Sequence, residues 1–178
     1  MSGASKLQAW DHTHSRTRIT FRAVNARGEA GYDPSLQRHH LLPRQLLSQR
    51  CFGRMFAEIG REQVGFDDFR CNGLLLPATE SASVRSGMPL HRGPHARYNE
   101  MVIARVGRIE AGWVVTRRRD EEAALVEALL RLHLLQSALR RQLLAQRRRL
   151  VFNAKDPLGS GFDFTELDAM AESLWAAE

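Results

Sequence analysis

Five side chains of the kinds that bind a divalent metal or move a proton fall between residues 39 and 95. They are the pair His39-His40, Asn72 in Asn72-Gly73, and His91 and His95 in the run His-Arg-Gly-Pro-His. His91 and His95 are spaced i, i+4, and on a helix that spacing stacks two imidazoles one turn apart on one face, within reach of a single ion. Neighbours on an extended strand point to opposite sides, so of His39 and His40 one can face a metal while the other faces a water molecule. Phosphodiester cleavage needs such a set. Water must become a nucleophile, a cation must stabilise charge on the phosphate and the leaving oxygen, and a scaffold must hold both.

The elements that must position these groups follow from the flanking residues. Tyr32-Asp33-Pro34-Ser35 is a turn that delivers the chain to the histidine pair. After Pro43, the spacing of Leu46, Leu47, Cys51, Phe52, Met55, Phe56 and Ile59 predicts an amphipathic helix ending near Gly60. Asn72-Gly73 leads into Leu74-Leu75-Leu76-Pro77, an apolar run the length of a short buried strand. Residues 78 to 90 have the composition of a loop. Proline is at home in a first turn, so Pro94 places the start of the next helix near 91 to 94, with both histidines in or just before that turn. Tyr98, Val102, Val106 and Ile109 carry the helix to about Glu110, with a short break at Gly112 to Val115. Asp120-Glu121-Glu122 opens a long helix with an apolar stripe of Leu125, Leu129, Leu132, Leu135 or Leu139, and Leu143, closed by Arg147-Arg148-Arg149. A short final helix is expected from about Phe164 to Trp175. Residues 1 to 33 read as a loosely ordered polar arm or a short strand pair around Ile19 to Val24. His12 and His14 in that arm, and His133 in the long helix, read as surface or packing histidines rather than ligands.

The segments Arg38-His39-His40-Leu41-Leu42-Pro43, Cys71-Asn72-Gly73-Leu74-Leu75-Leu76-Pro77 and His91-Arg92-Gly93-Pro94-His95-Ala96-Arg97-Tyr98-Asn99 together resemble the HNH, or ββα-metal, nuclease superfamily. Within it they resemble the AHH branch, over roughly residues 36 to 106, with Arg38 where the branch name implies alanine. The resemblance implies that His39, His91 and His95 are the metal ligands and His40 the general base. It implies that Asn72 ties the connecting loop through backbone hydrogen bonds. It also suggests a bacterial toxin or effector neutralised by a cognate, acidic immunity protein.

The chain carries a formal charge of +6, and residues 1 to 110 hold 16 Lys and Arg against 10 Asp and Glu, while the remainder is balanced. The basic excess therefore lies with the histidines. Arginine supplies 24 of the 26 cations, and its planar fork pairs bidentately with phosphate. Arg38, Arg44, Arg92 and Arg97 lie beside the candidate site and are the phosphate-contact candidates, with Arg92 also a catalytic candidate. Two cysteines, Cys51 and Cys71, exclude a disulfide framework and lack zinc-knuckle spacing. There is no signal-peptide pattern and no run approaching the ~20 apolar residues of a membrane span. The expected setting is the cytoplasm, of the producing cell or of a target cell.

The combined reading is an α+β, mostly helical protein with three parts: an arm (1–33), a ββα-metal nuclease core (34–118) and a C-terminal helical extension (119–178). Its expected activity is metal-dependent endonucleolytic cleavage of duplex DNA with low sequence specificity, catalysed by His40 and Asn72 beside one divalent ion on His39, His91 and His95. Three imidazoles favour Zn²⁺, Ni²⁺ or Co²⁺ in affinity, while Mg²⁺ or Mn²⁺ remains open for turnover. A zinc-stabilised DNA-binding module without catalysis and a ribonuclease of the same fold are the alternatives. The long leucine stripe also offers a surface for a homodimer.

Overall fold

The computed structural model describes residues 17–93 and 95–145, together with Phe152, Asp156 and Ala169. Two short strands, β1 (Leu36–His40) and β2 (Gly73–Pro77), pair antiparallel in the register Leu36 with Pro77, His39 with Leu74 and His40 with Gly73. Among the described residues, six helices surround them: α1 (Gly53–Ile59), α2 (Arg61–Val64), α3 (Phe69–Asn72), α4 (Glu80–Ser86), α5 (Ala96–Arg117) and α6 (Glu121–Leu144). The architecture is α+β and mostly helical, as the apolar patterning predicts.

The strands are joined by the segment from Leu41 to Asn72, which carries much of the core. Leu41, Leu42, Leu46, Phe52, Met55, Phe56, Ile59, Val64 and Phe66 are all buried there. The helix predicted after Pro43 is shorter than its apolar spacing suggests. Tight turns at Arg44–Ser48 and Arg50–Phe52 precede α1, because Gln49 between them is extended (φ −77°, ψ 116°). The predicted inward face survives this break only in part: Leu46, Phe52, Met55, Phe56 and Ile59 are buried and Leu47 is partly buried, but Cys51 is exposed.

Three other expectations are corrected. Residues 80–86 form α4, not a loop: the Thr79 hydroxyl accepts from Ala82 N–H, Glu80 stands in the first turn, and Gly87 ends the helix at φ 71°. Ser83 and Ala82, not a row of large apolar residues, form its buried side, which is why hydrophobic periodicity did not reveal it. The break expected at Gly112 is absent, and α5 runs unbroken to Arg117 with Trp113 buried. A methyl group at Gly112 would come within 3.2 Å of the Arg131 guanidinium on α6, so this glycine serves the close approach of two helices. Finally, Phe21–Ala23 is a single tight turn and only Thr20 forms an isolated bridge, to Asp68, in place of a strand pair.

Helices α5 and α6 pack as a hairpin. Asp120 caps α6 by accepting from Ala123 N–H at 2.9 Å. Leu132, Leu135, Leu139 and Leu143 are buried within the chain, so that stripe is covered by the protein's own core. The polar side of α6 secures the interstrand segment. His133 Nε2 lies 3.0 Å from Gln63 O, Gln136 donates to Val64 O at 3.1 Å, and Arg140 donates to Arg70 O at 2.6 Å. His133 is thus a structural histidine. No described helix is long and apolar enough to cross a membrane. The expected final helix, apart from Ala169, the arginine run 147–149, and His12 and His14 lie outside the described residues.

Candidate metal centre

Alternation along β1 sorts its side chains by face. Gln37 and His39 share the side that meets the 91–95 segment, whereas Arg38 and His40 share the other. His39 is almost fully buried. Its Nδ1 lies 3.0 Å from His91 Nε2, and one ligand nitrogen from each of His39, His91 and His95 falls within 4.8 Å of the others.

His91 and His95 reach this cluster without lying on a shared helix. His91 N–H donates to Pro77 O at 2.7 Å, extending the end of β2, and the neighbouring Leu90 N–H donates to the Asp156 carboxylate at 2.9 Å. Gly93, at φ 81°, turns the chain, and His95 stands at the cap position of α5 with its rings 4.3 Å from His91. The i, i+4 spacing thus brings the imidazoles together through a turn rather than through a helix.

Electrostatics keep the three rings neutral. Burial drives His39 well below the usual imidazole range, with His91 and His95 adding to the effect. Burial, then the adjacent His95, lowers His91 to about 4, and burial lowers His95. Neutral imidazoles have lone pairs to give at neutral pH, which is what a metal ligand requires. His39 Nε2 and His95 Nδ1 are buried with no hydrogen-bond partner among the described residues. The His91 Nδ1 is within 3.2 Å of Gln37 Oε1, so Gln37 fixes the tautomer that leaves His91 Nε2 for the cluster. The donor set fits a divalent ion with three nitrogen ligands and an open fourth position.

Asn72 is fully buried and ties the loop that follows the histidine pair. Its Oδ1 accepts from Leu42 N–H at 2.6 Å, and its Nδ2 donates to Leu42 O and Phe66 O at 3.1 Å. Gln136 from α6 also donates to Asn72 Oδ1 at 3.4 Å.

His40 is not brought into the cluster. On the opposite face of β1 it stacks on Phe21 with centroids 3.8 Å apart and planes 5° from parallel. Burial and the nearby guanidiniums of Arg44 and Arg38 lower its pKa against the opposing pull of Asp67. Arg38 donates to Phe21 O at 2.8 Å and to Arg22 O at 3.5 Å, so it holds the N-terminal turn. Arg44, Arg92 and Arg97 are exposed. Arg92 and Arg97 flank the turn that carries His91 and His95.

Sequence reasoning missed four residues of the site. Gln37 could have been found two positions before His39 on the same strand face. Tyr98 sits one turn after His95; its hydroxyl donates to Leu41 O at 2.7 Å and its ring lies 4.9 Å from His39. Phe21 is close to His40 only through the fold. Phe152 contacts His39, His91, His95 and Tyr98 from far along the chain, and no local signal marks it.

No curated protein and no solved structure matches the chain. Over residues 20–139 it matches AHH, a nuclease family of the HNH/ENDO VII superfamily with conserved AHH, and that span takes in both strands, the three imidazoles, Asn72 and most of α6. The chain therefore belongs to the AHH family of nucleases.

Proposed function

We propose that this nuclease is a metal-dependent endonuclease that hydrolyses phosphodiester bonds in duplex DNA with low sequence specificity. The observation that carries the reading is the cluster of three imidazoles, His39 buried and His91 and His95 partly buried, all with lowered pKa, beside a two-stranded sheet, inside a nuclease family. His39, His91 and His95 would hold one divalent ion, with Zn²⁺ or Ni²⁺ bound most tightly and Mg²⁺ or Mn²⁺ as candidates for turnover. Such an ion supplies Lewis acidity, polarising the scissile phosphate and stabilising charge on the leaving oxygen.

The chain's own residues do the rest. His40, kept neutral by burial and adjacent arginines, accepts a proton from the attacking water at a phosphodiester laid across the end of β1. Asn72 holds the Leu41–Leu42 backbone that fixes this strand end. Arg92 and Arg97 pair with flanking phosphates, Arg44 serves the His40 side, and Arg38 acts by holding the N-terminal turn. Residues 34–118 would form the nuclease core with 119–178 as its C-terminal extension, the two packed together through α5 and α6. A role as a bacterial toxin or effector, checked by an acidic immunity protein and acting in a cytoplasm, accords with the basic excess of residues 1 to 110. A homodimer through α6 would have to use its outer face, where Leu130 and Leu144 are exposed.

A second reading has one observation in its favour. The flat stack of His40 on Phe21, away from the cluster, suits a structural histidine in a zinc-stabilised module that binds nucleic acid without cutting it. Incubation with supercoiled plasmid and with total RNA, each with chelator and with single metals, separates the cases. Metal-restored nicking of plasmid supports the DNA endonuclease. Cleavage of RNA alone makes it a ribonuclease, and tight binding with neither cleaved makes it a binding module.

A further inference from the structure

We propose that Phe152 and Asp156, both beyond the span that matches the family, together position the three imidazoles for metal binding; this rests on the metal-centre reading above. An imidazole's orientation about its last torsion is only broadly restricted by its own rotamer preferences, so a ligand histidine needs something outside itself to aim it. In most metal sites a carboxylate or carbonyl on the second ring nitrogen does this. Gln37 plays that part for His91. Among the described residues, no carboxylate or carbonyl meets a ring nitrogen of His39 or His95: His39 Nδ1 lies against His91 Nε2, and the buried His39 Nε2 and His95 Nδ1 have no partner.

Aromatic packing takes the place of those hydrogen bonds. The Phe152 ring lies 5.1 Å from His39, 4.9 Å from His95 and 6.1 Å from His91, and 4.9 Å from Tyr98. One apolar ring thus abuts every ligand. Phe152 is buried, as a wall of the site must be. Four residues further on, the buried Asp156 accepts the Leu90 N–H and so anchors the backbone immediately before His91. The two residues hold the ligand set at two points, the rings through Phe152 and the main chain through Asp156. Phe152 is a positioning residue in this account.

The test is Zn²⁺ affinity by calorimetry and the visible spectrum of the Co²⁺-loaded protein, on full-length Phe152→Ala, Phe152→Leu and Asp156→Ala, with His95→Ala as the ligand-loss control. Phe152→Ala should weaken Zn²⁺ by about 10- to 100-fold, the range typical of lost outer-shell support, and should alter the Co²⁺ bands that report ligand geometry. Phe152→Leu, still apolar and bulky, should recover most of the affinity and the wild-type spectrum. Asp156→Ala should weaken binding in the same direction, and it decides the matter if Phe152→Ala does not fold. Wild-type affinity and spectrum in folded Phe152→Ala and Asp156→Ala would overturn the proposal. So would faster cleavage at unchanged affinity, because Phe152 would then be a cover rather than a support. If His95→Ala abolishes binding while the Phe152 and Asp156 variants do not, the metal centre stands and the positioning role falls. If the wild type itself binds neither ion, both fall.

Discussion

Replacing Asn72 should be among the most damaging single changes in the protein, and its size can be worked from the contacts. The side chain is fully buried; Asn72→Ala orphans the Leu42 N–H and removes a donor from both Leu42 O and Phe66 O. A buried group left unpaired costs about 1–3 kcal/mol, with carbonyls toward the lower end because each has a second lone pair. The sum is on the order of 3–5 kcal/mol, a large share of the roughly 5–15 kcal/mol that stabilises a typical domain. Asn72→Asp tests the assignment more sharply, since it keeps the acceptor for Leu42 N–H but turns an acceptor toward two carbonyls. Its buried carboxyl would titrate above the unfolded value of about 3.9, so the folded state binds the extra proton and stability falls as pH rises. Urea unfolding of metal-free protein at pH 7.5 and pH 5 would measure this. Asn72→Asp should be less stable than Asn72→Ala at pH 7.5, and the gap should shrink at pH 5, where protonation restores one donor. An alanine variant within about 1 kcal/mol of wild type would refute the claim that Asn72 ties this loop.

Four further outcomes are expected. The metal-free protein should gain stability with rising pH between about 4 and 6.5: His91 is lowered to about 4 from 6.5, so the unfolded chain binds the extra proton across that window. About 3 kcal/mol would come from His91 alone, and denaturant melts above pH 7 should show no further gain from it. Gly73→Ala should destabilise the β1–β2 pair, because the added methyl would collide with the Phe69 ring, which packs edge-on against Phe21 beneath His40; near-ultraviolet circular dichroism and cleavage rate should change together, and an unaltered rate would uncouple that stack from catalysis. In a cleavage-deficient background, Arg97→Ala should lower the slope of log affinity for duplex DNA against log salt by about one unit. Arg38→Ala should instead lower stability, because its contacts are with Phe21 O and Arg22 O.

The site was more legible in the sequence than the helices around it. Types and order of His39, His40, Asn72, His91 and His95 carry chemistry that few other arrangements share, and Pro94 marked the helix start to within two residues of Ala96. What failed were boundaries that depend on tertiary packing. Gly112 looks like a breaker until Arg131 of α6 is seen beside it. The helix at Glu80–Ser86 hides because its buried side is Ala82 and Ser83, too small to register as an apolar stripe. Phe152 is the extreme case, joined to His39 across more than a hundred residues. Long-range contact of that kind leaves no mark on local spacing.

The central claim is the division of labour between the two faces of β1, with His39 holding the ion and His40 moving the proton. It is tested by one paired measurement on His40→Ala and His39→Ala: Zn²⁺ stoichiometry by calorimetry, and single-turnover cleavage of plasmid by the same metal-loaded samples. His40→Ala should bind one ion within a few-fold of wild-type affinity and cut at least about a hundredfold more slowly, the scale of a lost general base, whereas His39→Ala should lose the ion. Wild-type cleavage by His40→Ala, or loss of the ion from it while His39→Ala keeps its own, would contradict the account.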